Sequence, residues 1–141
     1  MDGPSFAPGE YHYRRQVQFA ETDLAGIVHF SWYFRYMEEA EHALWRAAGL
    51  SVAGGGLHWP RVSAHCDYKQ PLRFEEEIDV AVRAAFGRRR MQYGFAVTRG
   101  ETAICTAAMT SVCARIDESG ALQPIDIPAD VIDRLRAVLG G

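Results

Sequence analysis

The stretch "ETDLAG", Glu21 to Gly26, sets a single carboxylate, Asp23, in a turn that runs on into an apolar-periodic segment. An aspartate there can bond its own backbone two residues on and simply build the turn. It can also act on a ligand, because the free N–H groups and positive dipole end of a following helix would lie close by and could hold a developing oxyanion. Thr22 carries a hydroxyl that can orient the carboxylate or serve as an ordinary turn residue. Gly26 permits a positive φ or a close approach of backbone to ligand. Other chemistry-bearing groups are scattered. Glu38, Glu39 and Glu41 sit at helical spacing and read as solvated or paired, with Glu38–His42 and Arg35–Glu39 at the i,i+4 separation of ion pairs. "GRRR", with Arg88, Arg89 and Arg90, read alone is a solvated cationic turn. Cys66, Cys105 and Cys113 form no CxxC or Cys/His cluster; they read as buried thiols, with neither a disulfide framework nor a metal site.

The elements that must position these residues follow from periodicity. Tyr11 to Phe19 alternates, with Tyr11, Tyr13, Arg15, Val17 and Phe19 on one side, and reads as a strand with one wetter face. Tyr33, Met37, Ala40, Leu44 and Ala47 recur at steps of three and four, which predicts one helix of about five turns closed by Gly49. The glycine-rich Ser51 to Pro60 is a connector. Four strands follow, Arg61–Lys69, Glu76–Phe86, Met91–Arg99 and Thr102–Ile116, suited to antiparallel pairing. Pro128 and Asp130 open a short terminal helix with Val131, Leu135 and Val138 as its apolar stripe. The class is α+β: one long helix must cover one face of a sheet of about five strands.

A chain of 141 residues fits one domain. Residues 1–10 read as a loose lead-in and 11–141 as that domain. The apolar fraction of 48% and the charged fraction of 23% are ordinary for a globular protein, and the net charge of −3 argues against a nucleic-acid-coating surface. The N-terminal stretch has no signal-peptide or membrane-span pattern, so the cytoplasm is the expected compartment, with no membrane partner.

"FAETDLAGIVHFSWYFRYMEEAEHAL" resembles the signature of 4-hydroxybenzoyl-CoA thioesterase-like hotdog proteins: a strand, a D-x-x-G-[IV]-[VY] turn, then a long helix. "WPRVSAHCDYKQPLRFEEEIDV" and "GRRRMQYGFAV" resemble later strands of that family, so the similarity spans about Tyr13 to Asp117. The resemblance implies a hotdog fold, a long helix wrapped by an antiparallel sheet, in a homodimer or homotetramer whose active site straddles two subunits. It further implies that Asp23 is the catalytic carboxylate, that the backbone N–H of Phe30 polarises a thioester carbonyl, and that a basic loop, here Arg88 to Arg90, meets the coenzyme A phosphates. A thioester has a good leaving group, so one carboxylate, as nucleophile or as general base for water, can suffice. Coenzyme A enters as part of the substrate, and no metal or redox cofactor is implied.

His29 departs from the family pattern, which places Tyr or Phe there; the imidazole reads as a partly buried ring replacing an aromatic, or as a second base. Another hotdog branch takes its carboxylate from the long helix, which keeps Glu38, Glu39 and Glu41 in view. Trp32, Tyr33 and Trp59 are candidates for an aromatic-lined acyl pocket, and equally for core or dimer packing. The competing functions are a non-catalytic acyl-CoA or acyl-carrier-binding module and a hotdog dehydratase, for which no paired His and acid stands out.

Overall fold

The computed structural model describes residues 5–140. A five-stranded antiparallel sheet forms from β1 (Tyr11–Gln16), β2 (Arg61–Tyr68), β3 (Glu77–Phe86), β4 (Arg90–Arg99) and β5 (Thr102–Val112), in the order β1-β3-β4-β5-β2. Alternation in β4 points Met91, Tyr93, Phe95 and Val97 to one face, where Val80, Val82 and Ala84 of β3 join them in full or near-full burial.

Across that face lies α1 (Trp32–Ala47), with Tyr36, Met37, Ala40 and Leu44 completely buried, and Gly49, at φ +75°, ends the run. Each such large side chain contributes roughly 1.5–3 kcal/mol on burial. A second helix, α2 (Ala129–Leu139), seals the same core with Val131, Leu135 and Leu139.

Three expectations need correction. The first strand stops at Gln16, not Phe19, because the Glu21 carboxylate accepts the Gln18 N–H (2.9 Å) and turns Phe19–Glu21 into a 3-10 segment. The last long strand breaks at Cys113, whose N–H donates to Arg89 O (2.7 Å) and whose carbonyl accepts Ile125 N–H (2.9 Å). Beyond it β6 (Ala114–Ile116) pairs with β7 (Leu122–Pro124) as a separate hairpin. Of the expected lead-in, residues 1–4 lie outside the described residues. From Phe6 the chain is tied down: Phe6 bridges to Ala85, Ala7 N–H donates to Ala84 O (2.9 Å) and Gly9 N–H to Leu139 O (2.7 Å). Any Cβ at Gly9 would sit 2.5 Å from Leu139 O, so only glycine allows this approach.

The sheet ends in β1 and β2. β2 is exposed along most of its length yet pinned to α1 by side chains. Arg61 clasps Glu41 and donates to Ser111 Oγ (2.7 Å), while at the other end the Tyr68 hydroxyl donates to Phe30 O (2.9 Å). No helix among the described residues is long and apolar enough to cross a membrane.

Candidate active site

The Asp23 loop is a short hairpin. Thr22 bridges Val28, Asp23 N–H donates to Ile27 O (2.8 Å), and Gly26 N–H to Asp23 O (2.9 Å). Gly26 takes φ +78°, a conformation that costs an L side chain roughly 1–2 kcal/mol. Asp23 Oδ1 accepts the Ala25 N–H at 2.8 Å, the turn-building bond, which leaves Oδ2 without a partner among the described residues. Turn-building and chemistry are therefore compatible in one side chain. Thr22 does not hold the carboxylate: its hydroxyl donates to Phe19 O (2.7 Å), a nearer acceptor across the 3-10 turn.

A buried polar cluster supports the loop. Glu21, 4% exposed, accepts from Gln18 N–H, from the Tyr36 hydroxyl (2.7 Å) and from Arg15. Arg15 also grips Glu39 at 2.8 and 2.9 Å, and Glu39 takes the Tyr13 hydroxyl at 3.0 Å. The cluster joins β1, the loop and α1, and its charges are paired and hydrogen-bonded, as burial demands. Burial, then the bond to Glu21, pushes the Tyr36 phenol far up, so it remains a donor. Sequence reasoning passed over Glu21 and Tyr36. The signal was Arg15 on the otherwise apolar side of β1, because an inward guanidinium needs a carboxylate.

The start of α1 has no side-chain cap at Ser31. Of the four amides from His29 to Trp32, three are taken: His29 N–H by Glu21 O (2.9 Å), Ser31 N–H by His29 Nδ1 (3.3 Å) and Trp32 N–H by His29 O (2.9 Å). Phe30 N–H has no acceptor among the described residues. His29 is exposed, not partly buried as expected, because Ser31 ties Nδ1 down (2.8 Å to Oγ) and its ring leans on Phe30 at the surface.

Asp23, Phe30 and Tyr33 line one hollow of about 370 Å³, with Ile27, Val28, Tyr68, Lys69 and Gln70. A larger hollow of about 700 Å³ beside His12, Arg14 and Asp79 pairs no unpartnered carboxylate with a helix start, so chemistry and not volume selects the site.

The other candidates lie elsewhere in the protomer. Trp32 faces a hollow with Ser31, Arg35, Glu38 and Glu39. Trp59 faces another with His42, His58 and Arg61, at the Arg61 end of β2, and packs edge-on against Trp45. Arg88, Arg89 and Arg90 form a hollow at the β3–β4 turn. That turn is rigidly stitched, since Ile127 N–H donates to Arg88 O (2.9 Å) and Asp126 Oδ1 takes both Arg88 Nε (2.9 Å) and Arg89 Nε (3.1 Å). The two guanidinium groups hold the Asp126 carboxyl below its usual range.

The helix carboxylates are engaged differently from the expected i,i+4 pairs. Glu41, 2% exposed, is locked to Arg61; Glu39 belongs to Arg15; and Arg35 reaches Glu38 at 4.0 Å, one residue short of Glu39. His42 Nε2 lies 3.8 Å from Glu41, not against Glu38. The strand arginines Arg15 and Arg61 outcompete the helix neighbours because Glu39 and Glu41 face the sheet. Cys105 and Cys113 are buried free thiols, whereas Cys66 is only half-buried because it lies on the edge strand.

The profile of the thioesterase-like superfamily matches residues 17–135, which include the Asp23 hairpin, α1 and the whole sheet after β1. The chain belongs to the thioesterase-like superfamily. It has that family's hotdog fold and is a thioester hydrolase by class. A 1,4-dihydroxy-2-naphthoyl-CoA hydrolase of Synechococcus elongatus is 26% identical over 133 residues, covering 90% of this chain and 96% of its own. A hypothetical protein of Aquifex aeolicus superposes with a TM-score of 0.79 at 32% identity, covering 88% of this chain and 98% of its own. A 1,4-dihydroxy-2-naphthoyl-CoA thioesterase from Synechocystis shares the fold, with a TM-score of 0.79 at 22% identity over 90% of this chain and 96% of its own.

Proposed function

We propose that this thioesterase hydrolyses a small aromatic acyl-CoA to the free acid and coenzyme A, with Asp23 as nucleophile or general base and the Phe30 N–H polarising the thioester carbonyl. The observation that carries the reading is one cavity lined by Asp23 and Phe30, where the Asp23 Oδ2 and the Phe30 N–H have no partner among the described residues. Thiolate is a good leaving group, so the site needs no triad, metal or redox cofactor, and coenzyme A comes with the substrate. Phe30, Tyr33 and Tyr68 on the cavity wall favour a flat acyl group, by about 0.5–1.5 kcal/mol for stacking beyond burial.

A second subunit follows from the positions of the parts. The arginine turn lies beside the Arg61 end of β2, since Arg90 pairs with Val112 and Arg61 with Ser111, whereas Tyr68 and the Asp23 cavity lie at the other end. Eight residues of strand separate the two ends, roughly 25 Å. If β2 pairs with its own copy about a two-fold axis, the Tyr68 end of one protomer meets the arginine end of its partner. Arg88 to Arg90 then reach the phosphates of a coenzyme A bound at the neighbouring Asp23. The assembly is a homodimer, or a homotetramer of such dimers, acting in the cytoplasm, where Cys66, Cys105 and Cys113 stay reduced.

The test is thiol release from benzoyl-type, hydroxynaphthoyl-type, short-chain and palmitoyl-type CoA esters under one condition. Higher kcat/KM for ring esters than for palmitoyl, abolished in Asp23→Asn, is the expected result. Tight binding of several esters without release would make the protein a binding module instead.

A further inference from the structure

The geometry points to Tyr68 as the residue that aims the Phe30 N–H, a positioning residue for carbonyl polarisation that reaches the helix start from the opposite edge of the sheet. The inference rests on the thioesterase reading for its function, although the anchoring it describes does not.

Phe30 lies between two peptide planes, and each plane is held by a different element. The plane that carries its N–H includes the His29 carbonyl, which accepts Trp32 N–H at 2.9 Å, so α1 itself fixes that side. The plane on its other side carries the Phe30 carbonyl, and this is held by the Tyr68 hydroxyl at 2.9 Å. With both planes fixed, φ and ψ of Phe30 cannot drift, and the free N–H keeps one direction. The other restraint on that second plane is the long 3.3 Å bond from Ser31 N–H to His29 Nδ1; the helix has no N-cap side chain, and Phe30 is 64% exposed, so packing adds little.

Tyr68 is itself braced. Its ring meets Tyr33 edge-on, centroids 5.0 Å apart at 89°, and Tyr33 is 3% exposed in the first turn of α1. Burial, with a smaller effect of nearby Cys66, pushes the Tyr68 phenol up to about 12, so it stays protonated and donating throughout the neutral range. Its proton is committed to the Phe30 carbonyl, so Tyr68 positions the oxyanion donor and does not protonate the leaving thiolate. Oxyanion donors are sensitive to small misplacement, and losing one costs about 10²–10³ in kcat. Removing the anchor and not the donor should cost less.

Tyr68→Phe deletes only the hydroxyl and keeps the ring contact. The expected result is a kcat lower by about 10- to 100-fold with KM within about twofold and an unchanged far-UV spectrum. Two inert ligands separate positioning from general damage. A CoA ketone analogue, with a methylene in place of sulfur, should bind more weakly to the variant, whereas a thioether analogue lacking the carbonyl should bind both proteins equally. Amide order parameters at Phe30 and Ser31 should fall from about 0.85 toward 0.6.

Unchanged order parameters would overturn the anchoring regardless of activity. Rigid-to-mobile amides with kcat within twofold of wild type would overturn the positioning role alone, because Asp23→Asn would still report the chemistry. Absence of thiol release from wild type would sink the thioesterase reading, and with it the catalytic part of this one, while leaving the amide measurement to decide the anchor.

Discussion

Asp23, which lines the cavity, divides its carboxylate: Oδ1 serves the turn through Ala25 N–H, and Oδ2 has no partner among the described residues. The two roles are separable by substitution. Asp23→Asn retains an oxygen for Ala25 and removes the charge, so kcat should fall by at least about 100-fold with unchanged thermal stability. Asp23→Ala should lose the same activity and about 1 kcal/mol besides, the size of one local hydrogen bond. Urea melts of both variants beside thiol-release rates check this; equal stabilities would mean that the Ala25 bond contributes nothing. The Asp23–Gly26 turn and the helix behind it were legible because turn chemistry is local. The Phe30 N–H came only through the family resemblance, since no spacing in the chain says which of four helix-start amides stays free. Tyr68 was invisible for a simpler reason: 38 residues separate it from the carbonyl it holds.

At the scale of elements, β2 and α1 are pinned together by Glu41 and Arg61. Arg61→Met would leave Glu41, 2% exposed, as an unpaired buried charge, a change that costs roughly 3 kcal/mol even after allowance for the 28% exposure of the Arg61 side chain. The double variant Glu41→Gln with Arg61→Met should recover most of the loss in urea denaturation. Recovery of none would mean that the guanidinium matters by its packing alone. The i,i+4 pattern misassigned these carboxylates because helix spacing is blind to strands that arrive from 20 or more residues away.

The β1–β3 edge carries a titrating contact. His12 lies 2.7 Å from Asp79 and 3.1 Å from Glu10, and the bond to Asp79 raises its pKa above the usual 6.5. A raised histidine contributes stability that is fully present below its unfolded value and is lost as pH rises through the folded one. Wild type should therefore exceed His12→Gln in melting temperature below the ordinary histidine value of 6.5, and the gap should narrow as the pH rises above it. A gap that widens with pH would reverse the sign and remove the Asp79 contact as its cause.

For the whole molecule, the open β2 edge and the separation of the arginine turn from Asp23 make two predictions. Light scattering at assay concentration should report a dimer or tetramer, and dilution into monomer should abolish activity; a fully active monomer would contradict the composite site. Replacing Arg88, Arg89 and Arg90 together by alanine should raise KM and flatten its salt dependence with little change in kcat, because phosphate contacts made equally in ground and transition states act on binding alone. An unchanged KM and salt slope would leave the turn as solvated surface held by Asp126. The α+β class and the single covering helix were plain from periodicity. The breaks at Gln16 and Cys113 were not, because each follows from a bond to a residue that is distant or sits beyond the element.

Gly9 and Leu139 touch, so the backbone closes almost into a ring. The order in which the ring is read is then a matter of the gene and not of the packing. A rearranged gene that joins those two positions by a short bridge and opens the chain at Gly54–Gly56, an exposed glycine stretch outside every strand and helix, would keep the five-stranded ladder and the Asp23 hairpin and lose only the Phe6–Ala85 bridge and the Ala7–Ala84 bond. New ends at that loop would lie near Trp59 and the Arg61 end of β2, giving a place to append a reporter or a fused domain there.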